Sequence, residues 1–188
     1  MAFNVNDFRS RLALDGARPN LFEVRLALPS IVLNSDSSSS TLSFMAKTAQ
    51  VPGSQINTVP IYYFGREIKF AGNRSFPDWT ISIINDEDFA IRNSLENWMN
   101  LINSHRTNVR DTRALNHQTG YTSDGQVYHY GKTGPSNILK AYKFIGMFPI
   151  DISPIELDWG SNDTIEEYSV TFAYQHWEVS QGATGITT

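Results

Sequence analysis

Apolar and polar residues alternate along much of this chain, which is the pattern of β-strands with one buried face. Phe22, Val24, Leu26 and Leu28 fall on one face of the segment 21–28, and Trp79, Ile81 and Ile83 repeat this pattern within residues 79–84. Further extended segments are predicted at 41–48, 56–70, 126–130, 139–148 and 165–178. Because no helices alternate with these strands, the order favours an antiparallel sheet over a parallel one.

One segment changes to the period of a helix. Ile91, Leu95, Trp98 and Ile102 form a single apolar stripe, which predicts an amphipathic helix over about residues 86–103. Asn85 or Asp86 is predicted to cap the free amides at its start. The acids that follow Asn85 are interpreted as part of this helix start, where negative charge is favourable, rather than as catalytic groups.

These elements predict a mainly-β chain, an antiparallel β-sandwich or barrel with one flanking helix. Its 188 residues suffice for a single domain with one core. Within it we predict an N-terminal arm (1–17), a serine-rich loop (34–40), a polar variable loop region (104–137) and a flexible C-terminal tail (180–188).

Composition narrows the classes of function. The 15 basic and 19 acidic residues leave a net charge of −4, whereas a protein that grips nucleic acid normally has a basic excess. The absence of cysteine excludes disulfides, thiol nucleophiles and thiolate metal sites. There is neither a secretory leader pattern nor an apolar run of the ~20 residues that cross a bilayer. We therefore expect a soluble protein, made in a cytoplasm, with no membrane-spanning segment.

The chain offers few candidates for chemistry. Carboxylates gather between positions 151 and 167, but the spacing of a calcium loop is absent, and the four histidines lack a metal-binding spacing. Glycine-rich phosphate-binding patterns are absent too. We predict a protein that is not an enzyme, with no catalytic, metal or cofactor-binding residues. A hydrolase that uses the carboxylates of 151–167 and a monomeric β-barrel ligand carrier remain as alternatives.

The last predicted strand has two very different faces. Tyr168, Val170, Phe172 and Tyr174 form an apolar face that suits a core. The opposite face is small, polar and free of positive charge; it consists of Glu167, Ser169, Thr171, Ala173 and Gln175. Such a face either meets bulk water or lines an aqueous channel that must release whatever passes through it.

The segment 52–70 is unusually apolar for an edge element. Pro60 cannot donate a hydrogen bond to a sheet, which places the segment at an edge or on a projecting arm. A projecting hairpin could not leave so many apolar side chains in water. We predict an inter-subunit arm made of Ile56, Val59, Ile61, Tyr62, Tyr63 and Phe64. Trp79 and Trp159, each preceded by aspartate, are placed either in the core or at subunit contacts.

An ordered set of motifs resembles a known family. The stretches are ARPNLFEV (17–24), IKFAGNRSFPDWTISIINDED (68–88), the aromatic helix, and FPIDISPIELDWGSNDTIEEYSVTFAYQHWE (148–178). Together they cover about three quarters of the chain and are similar to the tail tube proteins of contractile-tailed bacteriophages. The serine-rich loop (34–40) and the segment 105–137 match less well.

The resemblance implies a ring-forming tail-tube fold and a structural role. Family members form homohexameric rings that stack into a hollow tube inside a contractile sheath, with baseplate and tail-terminator proteins at its ends. The tube penetrates the host envelope, and DNA passes transiently through its lumen. The resemblance thus implies a virion protein assembled in the host cytoplasm. The alternative is a baseplate or tube-initiator subunit, or an inner-tube protein of a phage-like or type VI secretion device.

Overall fold

The computed structural model describes residues 5–11, 16–33 and 35–182. These ranges contain three α-helices and nine strands. In chain order they are α1 (Val5–Arg11), β1 (Phe22–Leu26), α2 (Ser35–Met45), β2 (Ala46–Ala49), β3 (Gln55–Tyr63), β4 (Arg66–Ser75), β5 (Trp79–Ile84), α3 (Ala90–Ile102), β6 (Ser123–Gly131), β7 (Gly134–Ile152), β8 (Glu167–Ala173) and β9 (His176–Gly182). A 3-10 turn at Thr112–Ala114 and a π-helical turn at His117–Tyr121 connect α3 to β6. The predicted mainly-β, antiparallel fold is confirmed.

A seven-stranded antiparallel sheet, ordered β1-β6-β7-β8-β5-β2 with β9 also paired to β7, forms the body of the protein. The long strand β7 joins its two halves. It pairs with β9 as far as Ile145 and with β8 from Phe148 onward. Between these pairings lies Gly146, whose φ of +65° is in the left-handed region that favours glycine. The chain changes direction there, so one strand serves both halves of the sheet.

The predicted periodicities decide which side chains form the core. Trp79, Ile81 and Ile83 of β5 are buried, as are Tyr168, Val170 and Phe172 of β8. On α3 the predicted stripe is also turned inward, with Ile91, Leu95 and Trp98 buried and Ile102 packed at the margin. The body of the fold therefore consists of the seven-stranded sheet, with α2 and α3 packed on its apolar core.

The predicted cap of α3 is wrong. The helix begins at Ala90, and Asp88 accepts a hydrogen bond from the Ala90 backbone N–H at 2.9 Å. Asn85 is still tied to the strands, because its backbone N–H donates to the Glu166 carbonyl and its side-chain amide donates to the Glu166 carboxylate. The Asp86 carboxylate accepts from the neighbouring Glu87 N–H, and its backbone carbonyl accepts from the Phe89 N–H, so neither group caps the first turn of α3. A turn through Phe89, at φ +53°, must therefore be made before the helix can start.

The serine-rich segment, predicted to be a loop, belongs to α2, and the strand predicted at 41–48 shortens to β2. Tertiary packing overrides the weak helix propensity of serine. Leu42 is fully buried in the core, and the hydroxyls of Ser38 and Ser94 lie 2.8 Å apart where α2 meets α3. Other hydroxyls bond to carbonyl oxygens within the helix, as Ser39 does to Ser35. The protein thus has three helices among its described residues instead of one.

The strand predicted at 165–178 is interrupted. Its two parts, β8 and β9, are separated by Tyr174 and Gln175, and the Gln175 N–H donates to the Ile145 carbonyl at 3.0 Å. Gln175 therefore lies in the break and not on the polar face of a continuous strand. Residues 180–182 of the predicted tail belong to β9, whereas 183–188 lie outside the described residues, as do 1–4 and 12–15 of the predicted arm. The variable region 104–137 contains β6.

Candidate assembly surfaces

Strands β3 and β4 form a two-stranded sheet of their own, separate from the body. Tyr63 pairs with Arg66, and the two residues between them, Phe64 and Gly65, have φ values of +47° and +78°. Two consecutive left-handed residues make the type I′ turn that matches the twist of a tight hairpin. Gly65 is needed at this turn because side chains rarely adopt its backbone conformation.

This hairpin exposes apolar side chains over most of its length. Every residue of β3 is exposed, and Phe64 at the tip is 92% exposed. The exposed apolar set comprises Ile56, Val59, Ile61, Tyr62, Tyr63 and Phe64, together with Ile68 and Phe70 of β4. The predicted arm residues thus lie together on one projecting element. An isolated hairpin is marginally stable in water at best, and an apolar patch of this extent marks an interaction surface.

The root of the hairpin is fastened to the body. The Trp177 indole N–H donates to the Gly53 carbonyl at 2.9 Å, and the Trp79 indole N–H donates to the Gln50 carbonyl at 2.8 Å. Within the root itself, the Arg74 guanidinium of β4 donates to the hydroxyl of Ser54, the residue before β3, at 3.4 Å. The hairpin therefore has a fixed root and an exposed tip.

The polar face predicted on the last strand extends across neighbouring strands. Ser169 pairs with Ser82, and Thr171 pairs with Thr80, whose hydroxyl oxygen lies 3.0 Å from that of Thr171. In β8, Glu167 is exposed, and Ser169, Thr171 and Ala173 are half-buried, while the alternate residues are buried. Four of the five predicted residues share this face, since Gln175 lies in the strand break. Tyr174, predicted to face the core, packs at its margin.

The charge of this face is nearly balanced. Lys47, from β2, places its ammonium nitrogen 2.5 Å from the Glu167 carboxylate. The sequence pattern of β8 did not reveal this lysine, because it comes from a strand two places away in the sheet. Asp151 of β7 lies in register with Thr171. Hydroxyl groups therefore dominate the surface, and its positive charge is paired.

The connection between β7 and β8, residues 153–166, is termed the acidic loop. It contains Glu156, Asp158, Asp163 and Glu166 and no lysine or arginine. Its Trp159 is 101% exposed, whereas Trp79 is 2% exposed, so the two Asp-Trp motifs have opposite environments. Leu157 and Ile165 are 81% and 70% exposed. The loop thus presents apolar side chains within an acidic surround.

A polar cluster lies at the other edge of the sheet, between β1 and β6. The Glu23 carboxylate accepts hydrogen bonds from the Arg25 guanidinium and the Tyr130 hydroxyl. The hydrogen bond from Arg25 lowers the pKa of Glu23 below its ordinary value. Burial, followed by the hydrogen bond to Glu23, raises the pKa of Tyr130 to about 12. Arg25 also lies 4.8 Å above the ring centre of Tyr128, so the cluster joins β1 to β6.

Within the described residues, His, Asp and Glu side chains nowhere gather in a group of three that could hold a metal ion. Among the helices of the same ranges, none is long and apolar enough to span a membrane. The carboxylates of 151–167, considered above as a hydrolase site, are spread along the acidic loop and its flanking strands. Glu166 and Glu167 have neighbours of their own in Asn85 and Lys47.

The architecture defines a class of protein, a bent antiparallel sheet with a projecting apolar hairpin. The family model for phage tail tube proteins matches residues 17–180, so this chain belongs to the phage tail tube protein family, whose members are structural proteins and not enzymes.

The relatives agree with this assignment. The tail tube protein gp19 of Enterobacteria phage T4 is 26% identical over 164 residues, which cover 87% of this chain and 92% of that protein. Among solved structures, a chain of the PVC sheath–tube complex, from an extracellular contractile injection system, has a TM-score of 0.61 at 15% identity and covers 93% of this chain and 97% of its own. A chain of the six-fold symmetrised anti-feeding prophage baseplate has a TM-score of 0.61 at 10% identity and covers 89% of this chain and 96% of its own. These two structures show the shared fold.

Proposed function

We propose that this chain is the main subunit of the tail tube of a contractile-tailed bacteriophage. Homohexameric rings of the subunit stack into a hollow tube that lies inside a contractile sheath, penetrates the host envelope and conducts DNA. The observation that carries this proposal is the β3–β4 hairpin, whose apolar side chains are exposed along most of its length. Burial of the arm residues against other copies would remove this apolar surface from water.

The relatives support the particular form of the assembly. The T4 protein, a named tail tube protein, is matched over nearly its whole length. The structure that shares this fold within the PVC complex comes from an assembly of sheath and tube. The anti-feeding prophage baseplate structure is six-fold symmetrised, which favours a ring of six for this chain. By the same analogy, the sheath lies outside the tube, and baseplate and tail-terminator proteins contact its two ends.

The polar face of β8 is proposed to line the channel. Glu167, Ser169, Thr171 and Ala173 face the lumen, and Gln175 contributes from the break beside them. Because hydroxyl groups do not bind phosphate as lysines and arginines do, and Lys47 is paired with Glu167, DNA can pass without being held. Closure of the sheets around an axis would also cover their exposed edges.

The N-terminal arm is proposed to order against a neighbouring subunit. Helix α1 has no buried residue, and its Val5 and Phe8 are 70% and 66% exposed. Seven helical residues are too few to be stable on their own in water. Packing on another copy would supply the missing apolar contacts.

Electron microscopy and size-exclusion chromatography of the purified protein test this proposal. A main tube subunit is expected to form rings and long tubes, whereas a baseplate or tube-initiator subunit is expected to stop at single rings. An inner-tube protein of a phage-like or type VI secretion device would form tubes but would not be found in a DNA-filled virion. Elution near the 21.2 kDa of one chain at every concentration would refute the proposal.

A further inference from the structure

The exposed hairpin lacks an assigned counterpart, and the structure contains a surface with matching chemistry. We infer that the tip of the β3–β4 hairpin of one copy docks on the acidic loop, residues 153–166, of the next copy. This inference rests on the proposed self-assembly and names the surface on which the hairpin is buried. Three observations support it: the positions of the two surfaces, their charges and their exposed apolar side chains.

The two surfaces lie at opposite ends of one strand pair. In the antiparallel pair β5–β8, Trp79 is opposite Phe172 at one end, and Ile84 is opposite Glu167 at the other. The hairpin runs into β5 at the Trp79 end, whereas the acidic loop runs into β8 at the Glu167 end. The first and the last of these six residue pairs are five steps apart, which is about 17 Å at ~3.4 Å per residue.

This placement fits a head-to-tail contact between identical chains. When a projection lies at one end of a subunit and its acceptor lies at the other, each copy can receive one neighbour and engage the next. Such a heterologous interface builds rings or continuous stacks, whereas a two-fold contact would end at a dimer. The hairpin is long enough to reach across, because nine residues of extended strand span about 30 Å.

The charges of the two surfaces are complementary. The hairpin carries Arg66, Lys69 and Arg74 against a single acid, Glu67, and Arg66 immediately follows the tip. The acidic loop carries four carboxylates and no basic residue. The loop after α3 is a poor acceptor, because its Arg106 and Arg110 would repel the hairpin and its one acid, Asp111, is paired with Arg113. Complementary charge selects the partner surface and its orientation.

Both surfaces also expose the residue types that dominate protein interfaces. Tyr62, Tyr63 and Phe64 project at the tip, and Leu157, Trp159 and Ile165 project from the acidic loop. Aromatic side chains surrounded by charged groups form the usual apolar centre and polar rim of an interface. Trp159 is fully exposed in an isolated copy, and the hairpin of a neighbouring copy would bury it.

Cross-linking between introduced cysteines tests the inference, and the natural chain has no cysteine to interfere. The test variant combines Tyr63→Cys with Leu157→Cys, and the matched control combines Tyr63→Cys with Val109→Cys, at a position that is 63% exposed. A short bis-maleimide is used, because a disulfide requires Cα atoms within about 7 Å. Treatment of assembled protein should give a ladder of covalent oligomers with the test pair and none with the control pair or either single cysteine.

A charge swap provides the second arm. Arg66→Glu with Lys69→Glu, and Glu156→Lys with Asp158→Lys, should each lose sedimentable polymer, and combining both pairs should restore it. Three outcomes would each overturn the inference and leave the proposed function intact. The test pair could give no ladder although rings or tubes form, the Val109 control could give a ladder, or the combined charge swap could fail to restore polymer. A protein that remains a monomer in every condition would overturn both.

Discussion

The indole N–H of Trp98 donates a buried hydrogen bond of 2.6 Å to the backbone carbonyl of Tyr121. This contact ties α3, which covers the sheet, to the π-helical turn that leads into β6. Replacement of Trp98 by phenylalanine retains much of the apolar volume but leaves the Tyr121 carbonyl without this donor. We expect a loss of about 1–3 kcal/mol in the free energy of unfolding, the cost of a buried unsatisfied polar group.

Urea denaturation of the unassembled subunit measures this change. Trp159→Phe is the matched control, because Trp159 is fully exposed and its replacement should change the free energy of unfolding by no more than about 0.5 kcal/mol. Equal effects of the two substitutions would show that the Trp98 hydrogen bond contributes nothing particular to stability.

Gly146→Ala should destabilise the bend in β7. A side chain at φ +65° is strained, and the added Cβ would lie 3.0 Å from the Cγ of Gln175. We expect a loss of about 1–2 kcal/mol from the left-handed backbone alone. In Gly160→Ala the nearest atom to the new Cβ lies at an ordinary 3.5 Å, so this control should stay close to wild type. Thermal unfolding with no difference between the two variants would contradict the proposed role of Gly146.

Acid should abolish the contribution of Glu23 to stability. Because its pKa is lower in the folded chain than its ordinary value of 4.5, its stabilising effect is present above that pH and lost as pH falls through the folded pKa. Glu23→Gln should therefore be less stable than wild type near neutral pH, and the two should converge in acid. Glu87→Gln, at an exposed position, controls for the loss of one negative charge. Parallel denaturation midpoints across the whole acid range would exclude this linkage.

The same cluster of Glu23, Arg25 and Tyr130 predicts a loss of stability at alkaline pH. Tyr130 has its pKa raised to about 12, so its contribution to stability is complete below its ordinary pKa of 10 and lost as pH rises through about 12. Ultraviolet difference titration of wild type against Tyr130→Phe should reveal one tyrosine that ionises above that ordinary value. If the Tyr130 hydroxyl, which the variant lacks, ionises at pH 10 in wild type, Glu23 and burial do not hold its proton.

Lysines on the proposed channel face should hinder DNA. Ser169→Lys with Thr171→Lys, repeated around a ring, would form a positive band that binds phosphates by counterion release. We expect tubes that assemble but release DNA slowly, with the defect easing at high salt. Thr107→Lys with Thr112→Lys adds the same charge at exposed positions of the loop after α3 and should leave DNA release unchanged. Normal ejection by the Ser169/Thr171 variant, or tubes in which these residues cannot be reached from the lumen, would disprove the assignment.

Deletion of residues 2–14 should separate folding from assembly. The described part of this arm, α1, has no buried residue, so its removal should leave the circular dichroism spectrum and the denaturation midpoint of the subunit nearly unchanged. Polymerisation should fall, because the proposed contacts to a neighbouring subunit are lost. Tube yield equal to that of the full chain would contradict the proposed role of the arm.

Periodicity along the chain was sufficient to predict the mainly-β class, the core faces of β5 and β8 and the buried stripe of α3. These features depend on whether neighbouring residues point to the same side or to opposite sides, a property of local backbone geometry. The hairpin was recognisable for a related reason. Its apolar side chains flank a proline that no central strand accommodates, and a projecting element was the simplest arrangement for them.

Contacts between distant segments decided what periodicity could not. Ser38 and Leu42 lie in a helix because they contact Ser94 and the core. Asn85 does not cap α3 because its side chain donates to Glu166. Lys47 reaches the polar face of β8 from 120 positions away in sequence. Trp79 and Trp159 share the same preceding residue, yet one lies in the core and the other on a loop. A local motif carries no information on which surface the folded chain brings against it, and burial depends on that surface.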